Sequence, residues 1–252
     1  MSNFHSFILG IVQGLTEFLP ISSTGHIILF SKFLNINEPP IFFDLFLHLG
    51  TLFAVFLIFS PFIIKNIKNL KLIFLIIISI LSTGIFYILF KKPLESSFSN
   101  FKFIPIFFLI TSFYLFFFYF KNKRTKTIKD ITILDSIIIG LSQGFSILPG
   151  ISRSGFTFIT ATLLGIKEDD AFKYSFLLSI PTILGSTILK YFDYIKSPIK
   201  ISADSLLLGF FASLIFGVIS IILFRGSIHK RNLKIFSFYL IIISIITIIW
   251  FW

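Results

Sequence analysis

The chain has 252 residues, 56% of them hydrophobic and 13% charged, and a mean hydropathy of +0.98. Soluble globular chains run near a quarter charged, so a water-soluble fold is excluded: too little polar surface exists to wrap so apolar an interior. The formal net charge of +11 does not mark a nucleic-acid binder, because Lys and Arg sit in the connectors between apolar runs, as they do in membrane loops.

The first apolar stretch, 4–34, lacks the basic cluster and the small-residue cleavage site of a signal peptide and is expected to be retained. It is broken by Leu19-Pro20-Ile21-Ser22-Ser23-Thr24-Gly25 and reads as a helix-loop-helix hairpin dipping into the membrane. Three full spans follow at 41–60, 71–90 and 104–120, each close to the about 20 residues that cross a hydrocarbon core about 30 Å thick. A second interrupted stretch, 131–166, carries Leu148-Pro149-Gly150-Ile151-Ser152-Arg153-Ser154-Gly155. Three more spans follow at 172–191, 206–224 and 236–252. Non-helical backbone at membrane depth survives only where protein or a wet cavity covers it, so a cavity is expected at the two breaks. The many Phe side chains read as lipid-facing. Cys is absent, which removes thiol nucleophiles, thiolate metal sites and disulfides.

The two interrupted stretches resemble each other. Gly10-Ile-Val-Gln13-Gly14 overlays Gly140-Leu-Ser-Gln143-Gly144, and Ile21-Ser22-Ser23-Thr24-Gly25 overlays Ile151-Ser152-Arg153-Ser154-Gly155, both at an offset of 130 residues. A weaker match, shifted by one, sets 43–51 against 172–180. Three spans between the hairpins, an odd number, invert the second copy relative to the first. The expected fold is therefore an all-α polytopic membrane protein. It has six transmembrane helices plus two re-entrant helical hairpins in an inverted-topology repeat, one domain over 1–252 with repeat one at about 4–120 and repeat two at about 131–252. With this layout one side collects 14 basic residues (Lys65, Lys68, Lys71, Lys121, Lys123, Arg124, Lys126, Lys129, Lys167, Lys173, Arg225, Lys230, Arg231 and Lys234) and the other only 7, Arg153 standing apart. Cytoplasmic loops carry the Lys/Arg excess, which puts both termini outside the cytoplasm and the hairpin tips near the midplane.

Charged side chains at membrane depth cost about 2.5–3.5 kcal/mol each on insertion scales and are functional by default. Glu17 and Arg153 are the two here. Gln13 and Glu17 lie four apart on one helix face, two oxygen ligands with which Mg²⁺ or Ca²⁺ could start a site completed by substrate phosphate. Ser22, Ser23 and Thr24 offer hydroxyls, and a helix starting after them would leave free N–H groups for an anion. His26 is close enough in sequence to serve as base toward a serine or as acid toward a leaving oxygen. Arg153, flanked by Ser152 and Ser154, presents a planar fork suited to phosphate. Together these make a phosphoryl-transfer site. Plainer readings stand beside this one. Membrane Ser and Thr often only bond backbone, a lone His is more often packed, His48 more so, and His5 and His229 read as loop residues. Glu17 and Arg153 could simply be an ion pair fastening the repeats.

Gln13-x-x-x-Glu17 with Phe18-Leu19-Pro20-Ile21-Ser22-Ser23-Thr24-Gly25-His26, and Pro149-Gly150-Ile151-Ser152-Arg153-Ser154-Gly155, resemble the two signature motifs of the undecaprenyl-diphosphatase family, also called bacitracin resistance proteins. The resemblance extends through 46–55 and 174–181. It implies an inner-membrane enzyme of bacteria that removes the terminal phosphate of undecaprenyl diphosphate, recycling the carrier for cell-wall precursors, with an active site opening toward the periplasm. It also implies catalytic roles for Glu17, Ser22, Ser23, His26 and Arg153 and phosphate binding by Ser22, Ser23 and Arg153, to which the reading of the residues adds Thr24, Ser152 and Ser154. The metal ligands it implies are Glu17 and Gln13, the latter standing where many members carry Glu. Expected partners are a polyprenyl diphosphate and the bilayer, not nucleic acid; a homodimer is compatible with the reading. The alternative is a polyprenyl-phosphate flippase or transporter built on the same inverted repeat, for which the Ser-Ser-x-x-His cluster has no use.

Overall fold

The computed structural model describes residues 2–36, 41–99, 101–120, 123–196 and 201–251. Among them lie eleven α-helices and no strand: α1 (Asn3–Phe18), α2 (Ser23–Phe33), α3 (Ile41–Asn66), α4 (Leu70–Leu89), α5 (Lys91–Ser99), α6 (Ile104–Phe116), α7 (Ile133–Phe145), α8 (Arg153–Leu163), α9 (Glu168–Lys196), α10 (Ala203–His229) and α11 (Lys234–Phe251). Helices start where the sequence offers a cap. Ser2 accepts from the His5 N–H, Asn69 from Leu72 and Ser202 from Ser205, while Thr132 and Asp135 form a reciprocal capping box at the start of α7.

Five helical stretches are long and apolar enough to cross a membrane: Ile41–Asn66, Leu70–Leu89, Phe101–Tyr119, Glu168–Lys196 and Ala203–His229. They match five of the six expected spans. The third consists of a 3-10 turn, α6 and a second 3-10 turn. The sixth expected span falls on α11, whose apolar stretch Lys234–Trp250 is shorter than those five. The chain is thus an all-helical polytopic membrane protein. The interior carries many buried hydroxyls, among them Ser79, Thr111, Ser112, Ser136, Ser213 and Ser220, while Leu57, Ile64, Ile88 and Leu189 face outward. This is the arrangement that lipid, not water, selects.

The expectation that Phe faces lipid is only half met. Phe18, Phe43, Phe108, Phe118, Phe158, Phe172, Phe176 and Phe224 are buried. Rings of Phe59, Phe172, Phe176 and Phe224 pack together between α3, α9 and α10. Aromatic rings fill gaps between helices held apart by a polar site, and burying them there also gains ring-ring contacts. His5 and His229 sit in helices, not loops: His5 in the first turn of α1, and His229 at the end of α10, 3.1 Å from Asp169.

The helix pairing follows the sequence repeat. α1 runs along α10, and α7, its counterpart at offset 130, runs along α4. Both contacts rely on small residues: a Cβ on Gly10 would come within 2.7 Å of the Gly209 carbonyl, and one on Gly140 within 2.2 Å of the Ser79 carbonyl. α6 pairs with α11 and α3 with α9. Basic residues of the larger sequence group gather at one end. Arg124 and Arg231 pair with Glu168, Lys126 with Asp135, Arg225 with Asp169, and Lys71 donates to the Lys129 carbonyl. The other end holds Asp44 and Lys190.

Candidate active site

At about 1.5 Å per residue, α1, α2, α7 and α8, with 16, 11, 13 and 11 residues, each fall short of a 30 Å core. They form two hairpins whose tips touch. Leu19 turns to an extended conformation (φ −63°, ψ 147°), as the residue before a proline must, and α1 ends. Ser22 takes φ +70°, a conformation costing on the order of 1–3 kcal/mol for a residue with a side chain. The Gly150 N–H donates to its Oγ at 3.1 Å and holds it there. In the second hairpin Gly150 itself turns at φ +114°. Ser152 then caps α8 by accepting from the Gly155 N–H at 3.2 Å. Ser154 Oγ donates to the Leu19 carbonyl at 3.2 Å, and a Cβ on Gly155 would lie 3.1 Å from that of Pro20.

This contact places Arg153, the first residue of α8, against Glu17 in the last turn of α1. A guanidinium N–H of Arg153 donates to Glu17 Oε1. On the other oxygen, Oε2, Glu17 accepts from the Gln13 amide at 3.0 Å and from Ser23 Oγ at 2.5 Å. The Glu17 side chain is 4% exposed, so its charge depends on these donors. Glu17 and Arg153 also share a small pocket with Phe18, Ser154 and Thr157, closed by Ser175, Phe176 and Ser179 of α9. Thr157 and Ser175 join by hydroxyls at 2.5 Å.

The structure thus brings together Gln13, Glu17, Ser23 and Arg153. Ser22, Ser152 and Ser154 lie beside them, but the hydroxyls of Ser22 and Ser154 hold the two tips together and that of Ser152 caps α8. Thr24 is exposed and takes no part in the hydrogen bonds around Glu17. His26 departs from the expectation. Its Nδ1 lies 2.7 Å from the Ser22 carbonyl, one helical turn back, and its Nε2 2.8 Å from the Tyr239 hydroxyl. A carbonyl only accepts, so the proton is assigned to Nδ1, and in the neutral ring Nε2 accepts from Tyr239. Neither nitrogen meets a serine hydroxyl, because a residue three or four places into a helix reaches its own preceding backbone first. Sequence reasoning missed Thr157, Ser175, Ser179 and Tyr239. The two α9 serines stand four apart on an apolar helix, a signal that means nothing until that face is known to meet Glu17.

Of the two expected metal ligands, Glu17 is engaged through both oxygens by Arg153, Gln13 and Ser23, and among the described residues no group of three or more His, Cys, Asp or Glu lies together; a divalent cation at Glu17 and Gln13 would therefore need further oxygens from the substrate phosphate.

Comparisons with known proteins place the chain in a family. The family model described as Bacitracin resistance protein BacA matches residues 6–246. A protein of Thermosipho africanus named undecaprenyl-diphosphatase is 43% identical over 95% of this chain and 96% of its own length. One of the same name from Thermosipho melanesiensis is 41% identical over 96% and 97%, and one from Methanosphaera stadtmanae 38% over 97% and 96%. With the model matching nearly end to end and relatives of this identity along the whole chain, the chain belongs to the bacitracin resistance protein BacA family.

Proposed function

We infer that this chain is a membrane undecaprenyl-diphosphatase. It hydrolyses the terminal P–O–P bond of undecaprenyl diphosphate, with oxygen from water ending on the terminal phosphorus, and yields undecaprenyl phosphate and inorganic phosphate. The relatives described above all carry a hydrolase name, which favours hydrolysis over the flippase or transporter alternative. The observation that carries the reading is the pairing of Glu17 with Arg153 across two hairpin tips: an arginine fork and a carboxylate base at one buried point.

In this reading Arg153 exchanges Glu17 for phosphate oxygens when the diphosphate enters, and its charge stabilises the transferring phosphoryl group. Glu17, released, takes a proton either from a water that Ser23 orients or from Ser23 itself, whose oxygen then carries the phosphoryl group until water attacks that phosphorus, frees inorganic phosphate and restores the hydroxyl. Ser23 fits this role better than Ser22 because its hydroxyl already donates to the carboxylate, whereas Ser22 accepts from Gly150. His26 supports the loop through the Ser22 carbonyl and Tyr239. Undecaprenyl phosphate leaves as an anion and needs no proton. Mg²⁺ or Ca²⁺ belongs on the diphosphate, which binds such ions itself, and not on the free protein.

The finer architecture we propose is six transmembrane helices with α1–α2 and α7–α8 as re-entrant hairpins in an inverted repeat. Both termini lie outside the cytoplasm of a bacterial inner membrane and the site opens to the periplasmic face. The short hairpin helices, the matching pairs α1–α10 and α7–α4 and the basic end support it. One chain supplies every group around Glu17, so a homodimer is not required.

Phosphate release from undecaprenyl diphosphate by the purified protein tests the reading, and no release overturns it. Ser23→Ala is expected to lose about 100-fold or more in turnover. Ser22→Ala keeps most turnover but loses about 1–3 kcal/mol of stability by orphaning the Gly150 N–H. The reverse ranking refutes the assignment. In the same preparation, calorimetry is expected to detect Mg²⁺ or Ca²⁺ binding only when a diphosphate is present.

A further inference from the structure

We propose that Lys190 is a second phosphate-recruiting cation, held by Asp44 at the outer approach to the Glu17–Arg153 site, and that it captures the substrate's diphosphate on its way to Arg153. The inference rests on the phosphatase reading and adds a residue to it.

Charge gives the first argument. Glu17 cancels Arg153, so the pair offers no net positive charge, while a diphosphate headgroup brings roughly two or more negative charges at pH 7. Bringing such a headgroup toward a buried site is costly unless further cations meet it.

Placement gives the second. α9 supplies Ser175 and Ser179 to the pocket wall and continues to Lys190, eleven residues beyond Ser179. That is about three turns, so both fall on one face of the helix. Helical side chains lean toward the N-terminus of their helix, which for Lys190 is the direction of the pocket. Its ammonium pairs with Asp44 of α3. The Asp44 backbone carbonyl accepts from His48 Nδ1 at 2.8 Å, and its carboxylate lies 3.5 Å from the same nitrogen. Lys190 and Asp44 side chains are 32% and 22% exposed, open enough for an anion to reach the ammonium and displace the carboxylate.

A plain staple between α3 and α9 would use the same pair, and charge-changing variants separate the two. In purified full-length protein, Lys190→Met is expected to raise KM for undecaprenyl diphosphate about tenfold, with the loss in KM and not in kcat. Competition by inorganic diphosphate should weaken by a similar factor. Lys190→Arg restores both, and Asp44→Asn, which frees the ammonium, leaves KM at or below the wild-type value. A wild-type KM in Lys190→Met, or equal rises in Lys190→Met and Asp44→Asn, overturns the proposal. Should the wild type release no phosphate, the phosphatase reading is what fails. Lys190 is then decided by whether inorganic diphosphate protects the wild type from thermal unfolding more than it protects Lys190→Met.

Discussion

Arg153→Lys is expected to lose about 100- to 1,000-fold in turnover while unfolding within a few degrees of the wild type. The contrast arises because Lys keeps the positive charge that Glu17 needs but loses the planar fork that holds phosphate oxygens in pairs. Alanine at 153 is a poorer probe. It leaves Glu17 buried with two neutral donors, Gln13 and Ser23, and removing one partner of a buried pair costs about 3–5 kcal/mol, so lost activity would be confounded with lost fold. Phosphate release and thermal unfolding of the same detergent preparation separate the effects. Wild-type turnover in Arg153→Lys would remove Arg153 from the chemistry and leave it a fastener between the repeats.

Gly140→Val is expected to abolish accumulation of folded protein. A Cβ there would lie 2.2 Å from the Ser79 carbonyl oxygen and 2.8 Å from its Cα. Both are backbone atoms that no rotamer change can move. α7 would have to separate from α4, and with it would go the hydrogen bonds that the close approach permits: Ser79 Oγ to the Ser136 carbonyl and Thr83 Oγ1 to the Gly140 carbonyl, each 2.8 Å. Gln143, which donates to Thr83 and to Thr182, each at 3.1 Å, would lose the first of these partners. Overpacking of this kind costs about 1–3 kcal/mol and more when backbone must shift. Gly84, on α4 itself, has nothing within 4 Å of an added Cβ, so Gly84→Val is the matched control. Equal yields of monodisperse protein from the two variants would contradict the close packing of α7 on α4.

What the sequence made legible was the part with sharp physical penalties. A proline preceded by a forced extended residue, a glycine at positive φ and two charges at membrane depth leave few arrangements, and these located both breaks and the Glu17–Arg153 pairing. The 130-residue offset relates α1 to α7, but that they pack on α10 and α4 was not legible from it. Side-chain direction was not legible. Phe176 and Phe53 look alike in the sequence, yet one lines the pocket and the other is half exposed. Hydrophobicity does not separate lipid from protein interior, because both are apolar. For the same reason Ser175 and Ser179 could not be told from hydroxyls that only bond their own helix. His26 was expected as a general base or acid, but its ring direction depends on where α2 begins and on Tyr239, more than 200 residues away.

The central claim is that the two hairpin tips meet to build one site, and a cross-link tests it most directly. The chain has no cysteine, so a disulfide within one chain of Pro20→Cys/Gly155→Cys, told from a cross-link between chains by its monomer size on a non-reducing gel, joins the tips. A Cβ at 155 would lie 3.1 Å from that of Pro20, near the about 3.5–4.5 Å spacing that disulfides need. The expected result is rapid cross-linking in native membranes under mild oxidant, with phosphate release blocked until the bond is reduced. Two thiols that take up labelling reagent yet never join would show the tips apart, and the site described here would not exist.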